Sequence, residues 1–205
     1  MKSAIIIFVR NPVLGKVKTR LAKQLGDGVA LSVYKKLLNH THSVLSDASA
    51  DRFVFYADYI NENDLWENNL YHKHLQSGDD LGERMKNAFQ LLFKKNYNKV
   101  VIIGSDCFEL SKEIIEEALT QLETSQIVIG PAADGGYYLL GMNAFYPAAF
   151  NNKQWSTETV FEDTIKDITL AGCSYYSLPK LRDVDTADDL KKFPELLSLS
   201  SCTNL

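Results

Sequence analysis

Unbroken apolar runs alternate along the chain with segments in which apolar residues recur every three or four positions. Ser3–Val9 is such a run and is typical of a strand that is buried on both faces. Further strands are predicted from shorter runs at residues 52–57, 99–103, 126–130, 137–142 and 174–178. Helical spacing predicts helices around residues 29–45, 85–93, 114–122 and 160–168, and a last helix after Thr186, whose hydroxyl can cap it. Residues 61–80 are polar and poorly periodic, and we expect them to be irregular.

This order of strands and helices predicts an α/β fold, a three-layer α/β/α sandwich around a doubly wound, mostly parallel mixed sheet. Ligands of such sheets bind at the carboxyl ends of the strands, beside a topological switch point. No internal repeat, low-complexity tract or linker divides the sequence. We therefore expect one domain over residues 1–197, followed by a disordered tail at 198–205.

Composition narrows the function classes. A chain of 205 residues suits one domain, and its formal net charge of −4 argues against a broad nucleic-acid-binding surface. Cys107, Cys173 and Cys202 are widely spaced and form no C-x-x-C pair, which favours reduced thiols in the cytosol. The first apolar run ends at Arg10 and is too short for a signal peptide or a membrane span. We expect a cytoplasmic protein with neither nucleic acid nor a membrane as its partner.

A basic loop follows the first predicted strand, at residues 10–20. It carries four cationic side chains in an otherwise acidic protein: Arg10, Lys16, Lys18 and Arg20. Such density predicts binding of a di- or triphosphate, helped by backbone amides at the start of the next helix. The loop is not a Walker A motif, because Gly15-Lys16 is followed by Val17 rather than by serine or threonine. The alternative is a solvated basic loop without a ligand.

Acidic residues follow several of the predicted strands. Asp106 comes directly after strand 99–103, and Asp134 precedes a glycine pair at 135–136 that could let the backbone approach a ligand. Asp183 and Asp185 lie before the last helix and point to the same side if that segment is extended. Carboxylates in such positions suit a hard cation such as Mg²⁺. Each motif alone is also compatible with a turn or a helix cap.

In this order, the motifs resemble those of the nucleotide-diphospho-sugar transferase superfamily, which has the glycosyltransferase-A fold. More narrowly, the chain looks like a small bacterial family of uncharacterised glycosyltransferase-like proteins. Its first and last motifs are also similar to those of 2-phospholactate guanylyltransferase. The matching segments span Phe8 to Leu190 and read FVRNPVLGKVKTRLA, GDDLGERM, GSDC, DGGYYLLGM, WSTETV and DVDTADDL.

The resemblance implies roles for individual residues. The phosphate-binding set would be Arg10, Gly15, Lys16, Lys18 and Arg20. Asp106 and Asp185 would bind Mg²⁺ or Mn²⁺, with Asp183 as the rival of Asp185. Asp80, Glu83 and Arg84 would contact the base or ribose, although a helix start with exposed charges explains them equally well.

The sequence also departs from the related families. Phe108 and Ala187 replace prolines that are common at these positions in the family. The first loop lacks the glycine-rich, Arg-Met ending of sugar nucleotidyltransferases, so the resemblance does not fix the substrate class.

Three functions are compatible with this resemblance. In nucleotidyl transfer, an acceptor phosphate attacks the α-phosphorus of a nucleoside triphosphate, while Lys16, Lys18 and Arg20 stabilise the departing pyrophosphate. In glycosyl transfer from a nucleotide sugar, the metal would bind the leaving diphosphate and Asp134 could act as the base for the acceptor. A third possibility is a regulatory module that binds a nucleotide without turnover. The sequence does not identify the base, the sugar or the acceptor.

Overall fold

The computed structural model describes residues 2–151, 153–155 and 157–197. Its strands within those ranges are β1 (Ser3–Val9), β2 (Asp51–Tyr56), β3 (Tyr71–Leu75), β4 (Lys99–Ile103), β5 (Ile127–Pro131), β6 (Tyr137–Met142) and β7 (Tyr175–Ser177). Its α-helices are α1 (Thr19–Leu25), α2 (Asp27–Leu45), α3 (Leu81–Lys94), α4 (Lys112–Gln121), α5 (Val160–Leu170) and α6 (Ala187–Leu190). Short 3₁₀ turns occur at Pro147–Phe150 and Pro194–Leu196.

The strands form one sheet in the order β3-β2-β1-β4-β6-β5-β7. All neighbouring pairs are parallel except those of β6, which runs antiparallel to β4 and to β5. The sheet is therefore mixed and mostly parallel, as the sequence predicts. β2 and β3 lie on one side of β1, and β4 lies on its other side, so the order in which strands are added to the sheet reverses at β1. A topological switch point therefore lies between the carboxyl ends of β1 and β4.

Apolar side chains cover both faces of the central strands. Ile5 and Ile7 of β1 belong to one core cluster, and Ala4 and Ile6 belong to the other. Successive side chains of a strand point to opposite faces, so an unbroken apolar run is what a strand between two helical layers requires. None of the helices in the described part of the chain is both long and apolar enough to cross a membrane.

The structure corrects the expectation of an irregular segment at residues 61–80, because β3 lies within it. The sequence of β3, YHKHL, is polar because this strand is at the edge of the sheet and pairs only with β2. His72 stacks on Phe53 with ring centroids 4.7 Å apart, and His74 stacks on Phe55 at 5.1 Å. Rings on the edge strand thus replace the aliphatic side chains from which strands are usually recognised.

The helix that the sequence predicts after Thr186 is present. The helix after Thr186 spans only Ala187–Leu190, and Thr186 and Asp189 form a capping box at its start. The predicted tail at residues 198–205 lies outside the described residues, so the domain boundary at 197 stays a prediction. Cys202 lies there as well.

Candidate functional site

A short segment, residues 181–185, crosses the carboxyl ends of β4 and β5. Leu181 pairs with the end of β5 through two hydrogen bonds. The Leu181 N–H donates to the Pro131 carbonyl (3.1 Å), and the Leu181 carbonyl accepts the Ala133 N–H (2.8 Å). Three residues later the Val184 N–H donates to the carbonyl of Asp106 at 3.0 Å. These backbone bonds bring the late acidic segment next to the aspartate that follows β4, although the two are far apart in sequence.

Asp106 and Asp185 converge on one cation, the ammonium group of Lys18. Its Nζ lies 2.8 Å from Oδ1 of Asp106 and 2.9 Å from Oδ1 of Asp185. The Lys18 side chain is only 4% exposed, whereas the two carboxylates are 44% and 38% exposed. Burial alone would lower the pKa of Lys18, but the charges of Asp106 and Asp185 outweigh burial and raise this pKa above its ordinary value. Lys18 is therefore held here as a cation.

The backbone of Lys18 has an unusual conformation for a residue with a side chain. Its φ and ψ angles are 47° and 48°, in the left-handed region, and it directly precedes α1. This turn aims the side chain inward at Asp106 and Asp185, while Lys16 and Arg20 on either side of it are exposed. Lys18 was predicted to bind phosphate, and in this structure its partners are the two carboxylates.

Asp183 has a different environment from Asp185. It is half-buried, and its backbone forms an antiparallel bridge with Cys107. Burial, followed by the negative charge of Asp106, raises the pKa of Asp183 to about 7. No ion pair joins Asp183 to Lys18 within the described ranges. Nor do those ranges contain a group of three or more histidine, cysteine or acidic side chains arranged to hold a metal. Asp106 and Asp185 are the carboxylates that could hold a cation here, and their role as metal ligands stays a prediction.

Tyr34 of α2 contributes to the site and was not singled out from the sequence. Its hydroxyl accepts a hydrogen bond from the Arg10 N–H at 2.8 Å and lies 3.1 Å from the Arg10 carbonyl and 3.3 Å from Oγ of Ser105. Burial raises the pKa of Tyr34 to about 12, so it remains a neutral hydrogen-bonding group. In the sequence this tyrosine looks like one more apolar position of α2, because only the fold brings residues 10 and 105 to it.

The basic loop is anchored at its beginning and turns back on itself in the middle. Asn11 is buried and pairs with the backbone of Tyr59, donating from Nδ2 to its carbonyl (3.0 Å) and accepting its N–H at Oδ1 (3.3 Å). The Lys16 N–H donates to the Val13 carbonyl at 3.0 Å, which closes a four-residue turn with Gly15 at its third position. Gly15 has φ +74°, as a type II turn requires there. This is a structural reason for the glycine that holds whether or not a ligand binds.

The remaining cations of the loop point to solvent. Arg10, Lys16 and Arg20 are all exposed. Within residues 2–151, 153–155 and 157–197 none of them forms an ion pair. Three cationic groups are thus available to an anion close to the Lys18–carboxylate cluster, and their assignment to phosphate binding stays a prediction.

Gly135, the first glycine of the pair after Asp134, has a packing role, and the close approach of a ligand to this pair stays a prediction. Gly135 has φ +90°, and a Cβ there would lie 1.9 Å from the Glu158 carbonyl oxygen. The Gly135 carbonyl accepts the Phe161 N–H at 2.9 Å, so this loop is locked to the start of α5. Asp134 is exposed, and its Oδ1 accepts the N–H of Gly136 at 3.0 Å. Its carboxylate faces solvent, where an acceptor could reach it.

The GDDLGERM segment forms a tightly bonded helix start. Asp80 caps α3 by accepting the Glu83 N–H at 2.8 Å, and Oε2 of Glu83 accepts the Asp79 N–H at 2.7 Å. Nε of Arg84 donates to the Gly78 carbonyl at 3.0 Å. No hydrogen bond or ion pair joins these side chains to Lys18, Asp106 or Asp185 within the described part of the chain. The local bonds agree with the helix-start alternative, and contact with a base or ribose stays a prediction.

The same helix start packs against the WSTETV motif. Gly82 lies so close to Trp155 that a Cβ at this glycine would be 2.0 Å from the indole ring. The pattern of the sequence indicates no role for Gly82 or Trp155 by itself. The feature that could have pointed to this contact is that both motifs, GDDLGERM with its glycine and WSTETV with its tryptophan, occur in one chain.

Several solved structures resemble this fold. A protein from Desulfovibrio desulfuricans G20, provisionally designated a nucleotide-diphospho-sugar transferase, is 35% identical over 98% of this chain and 90% of its own, with a TM-score of 0.87. More distant matches share the fold alone. CMP:2-keto-3-deoxy-manno-octonic acid synthetase complexed with CTP is 11% identical over 96% of this chain and 98% of its own, with a TM-score of 0.61. A cytidylyltransferase from Leptospira borgpetersenii serovar Hardjo-bovis is 14% identical over 100% of both chains, with a TM-score of 0.61.

Comparisons of sequence give the family. No curated protein matches the chain significantly. The model of a family described as "Uncharacterized protein conserved in bacteria (DUF2064)" matches residues 40–157, which is more than half of the chain. The match confirms the narrower of the resemblances drawn from the motifs. The chain belongs to this bacterial family, and it has the fold of the nucleotide-diphospho-sugar transferases.

Proposed function

We propose that the chain is a divalent-cation-dependent nucleotidyltransferase. The observation that carries this proposal is the convergence of Asp106 and Asp185 on one buried cation, beside a loop whose other cations are exposed and unpaired in the described residues. Structures with the same fold include a synthetase complexed with CTP and a cytidylyltransferase, which supports a nucleoside triphosphate as the donor. The acceptor is a phosphate-bearing molecule whose identity neither the sequence nor the fold supplies.

The residues of the site fit a Mg²⁺ or Mn²⁺ ion. Mg²⁺ takes one or two protein carboxylates and completes its coordination with water and substrate phosphates, and the two carboxylates that converge here meet that requirement. A bound ion would neutralise charge on the reacting phosphates. Asp185 is the better second ligand than Asp183, because it already contacts a cation and Asp183 does not.

The protein's own residues would bind and orient the donor. Arg10, Lys16 and Arg20 would bind the triphosphate, and Lys16 and Arg20 would stabilise the charge that develops on the leaving pyrophosphate. In the reaction an acceptor oxygen bonds to the α-phosphorus while the bond from that phosphorus to the α–β bridging oxygen breaks. Tyr34 would hold the start of the loop in place.

Cys107 and Cys173 are free thiols, which supports a cytoplasmic location.

Glycosyl transfer from a nucleotide sugar is the second candidate. It is supported by the designation of the Desulfovibrio desulfuricans protein and by the exposed carboxylate of Asp134, which could accept a proton from an acceptor hydroxyl. A nucleotide-binding regulatory module without turnover is the third candidate.

Product analysis separates these functions. The purified protein would be incubated with nucleoside triphosphates or nucleotide sugars, candidate acceptors and Mg²⁺ or Mn²⁺, and its products identified by mass spectrometry. Pyrophosphate indicates nucleotidyl transfer and nucleoside diphosphate indicates glycosyl transfer. Binding without either product indicates the regulatory module. A ligand at a hundred times its Kd adds about 2.7 kcal/mol to stability, so a thermal-shift screen would identify the base first.

Matched variants test the metal ligands. Asp106→Asn and Asp185→Asn should each abolish cation-dependent nucleotide binding. Asp188→Asn should leave it unchanged, because Asp188 is exposed and pairs with Lys191 at 2.7 Å. Thermal melts would show that each variant is folded. If the two site variants bind nucleotide and cation as tightly as the wild type, the cation site is not at these residues.

A further inference from the structure

We propose that Lys18 is a built-in counter-ion that competes with the divalent cation for Asp106 and Asp185, so that the cation binds tightly only when nucleotide phosphates draw Lys18 away. This inference rests on the proposed function, since it concerns the same two carboxylates. It assigns Lys18 a role that differs from simple phosphate binding, because it makes binding of the cation conditional on the donor.

The geometry makes the two occupants mutually exclusive. The Lys18 ammonium lies within 2.9 Å of one oxygen of each carboxylate. A divalent cation bound to the same oxygens would face a positive charge at contact distance, in a place where solvent screening is reduced by burial. Either Lys18 or the divalent cation can therefore occupy this position, but not both.

Lys18 is well placed as the resident ion. The two carboxylates would repel each other without a cation between them, and the buried ammonium removes that repulsion. The backbone of Lys18 is held in the sparsely populated left-handed region. The ion pairs thus hold a conformation that the backbone alone disfavours, and a competing partner for the ammonium would release it.

A nucleotide would bring that partner. Lys18 lies between Lys16 and Arg20, which are exposed and are the proposed phosphate ligands. Phosphate oxygens bound by those two side chains would come close to the Lys18 side chain. Its flexible four-carbon stem lets the ammonium group change partners. The ammonium would then move from carboxylate to phosphate as the divalent cation takes its place. By linkage, the nucleotide would tighten cation binding by the same factor as the cation tightens nucleotide binding.

The first test uses Mn²⁺ alone as the probe. Binding of Mn²⁺ would be measured by isothermal titration calorimetry on the wild type and on Lys18→Met, which removes the charge and keeps an unbranched apolar stem. Without nucleotide, Lys18→Met should bind Mn²⁺ at least tenfold more tightly than the wild type. Lys73→Met is the matched control, because Lys73 is also buried (5% exposed) and pairs with Asp64 at 3.0 Å, with no contact to the site in the described residues. It should bind Mn²⁺ as the wild type does.

The second test needs no variant and so does not depend on how Lys18→Met folds. Amine-reactive labelling of the wild type, read by mass spectrometry, should leave Lys18 and Lys73 protected when no cation is present. With Mn²⁺ alone at a saturating concentration, Lys18 should lose its carboxylate partners without gaining a phosphate partner, and it should be labelled at least several times faster. Lys73 should remain protected.

The outcomes separate this inference from the proposed function. If the wild type binds Mn²⁺ with nucleotide but Lys18→Met binds Mn²⁺ alone no more tightly, or Lys18 stays protected, the competition is overturned and the proposed function stands. If neither the wild type nor Lys18→Met binds Mn²⁺, with or without nucleotide, both proposals are wrong. Tighter binding by Lys18→Met together with release of Lys18 supports both.

Discussion

The hydroxyl of Tyr34 is hydrogen-bonded to both backbone groups of Arg10. It accepts a bond from the Arg10 N–H at 2.8 Å and donates one to the Arg10 carbonyl at 3.1 Å. Tyr34 lies in α2, and Arg10 is the first residue after β1, where the basic loop begins. The same hydroxyl lies 3.3 Å from Ser105, one residue before Asp106. One side chain therefore connects the basic loop with the strand end that carries the predicted metal ligand.

Removing this hydroxyl should weaken both the fold and the site. Tyr34→Phe leaves the Arg10 N–H and carbonyl without their partner in a partly buried place, which costs about 1–3 kcal/mol. The free energy of unfolding, measured by urea titration, should fall by that amount, and nucleotide affinity should fall as the loop loses its anchor. Tyr176→Phe is the control, because the Tyr176 hydroxyl donates to Glu117 at 2.8 Å and has no second hydrogen-bond partner among the described residues, so its loss should matter less. Equal effects of the two variants would contradict a special role for Tyr34.

The exposed cations of the loop should determine the affinity for anions. Lys16→Ala and Arg20→Ala should each weaken binding of inorganic pyrophosphate several-fold, and the double variant should weaken it further, because each removes a charge that has no partner in the described structure. Calorimetry at two salt concentrations would measure this. Lys23→Ala is the control, since Lys23 is an exposed cation of α1 outside the loop. Unchanged affinity in both single variants would favour the solvated-loop alternative.

The parts of the fold that could be predicted from the sequence are those in which local pattern and final environment agree. β1 and β4 were found at their exact bounds because both strands are buried on both faces and therefore consist, after a first polar residue, of apolar residues. β3 was missed because ring stacking on the edge strand involves His72 and His74, which local patterns count as polar. Strand order likewise depends on pairings between segments that are distant in sequence, which periodicity does not report.

The sequence predicts which residues form the candidate site better than it predicts which of them contact one another. Asp106 and Asp185 were paired from the resemblance and from the rule that strand ends converge, and their carboxylates do meet at one cation. The cation itself was not foreseen, because the charge density of the loop grouped Lys18 with the phosphate ligands. Both partners of Lys18 are distant in sequence, Asp185 by 167 positions, so no local pattern indicates that the Lys18 side chain turns inward.

Gly135 offers a test of the loop that carries Asp134. Gly135→Ala should destabilise the protein by more than about 2 kcal/mol, because it combines a positive φ with a Cβ that would lie 1.9 Å from the Glu158 carbonyl oxygen. Gly172→Ala separates the two effects, since Gly172 has φ +74° and no atom within 4 Å of an added Cβ. It should show only the conformational cost of about 1–2 kcal/mol. Urea unfolding of both variants provides the comparison, and equal losses would mean that the Glu158 backbone yields readily.

His74 should make stability depend on pH on the acid side of neutrality. Burial, followed by the charges of Lys95 and His72, lowers the pKa of His74 below its ordinary value of 6.5. Below pH 6.5 the unfolded chain therefore binds a proton at this position more readily than the folded chain does. The contribution of His74 is fully present above pH 6.5 and is lost as the pH falls through 6.5 towards the folded pKa.

His74→Phe should remove this dependence, because phenylalanine keeps a ring against Phe55, where the centroids are now 5.1 Å apart, and cannot bind a proton. Unfolding free energies of the wild type and the variant would be measured by urea titration at half-unit steps between pH 7.5 and 5. The difference between the two proteins should shift in favour of the variant as the pH falls, while acidic groups that titrate in both proteins cancel in that difference. Curves that stay parallel over the whole range would show that His74 is as readily protonated in the folded protein as in the unfolded chain.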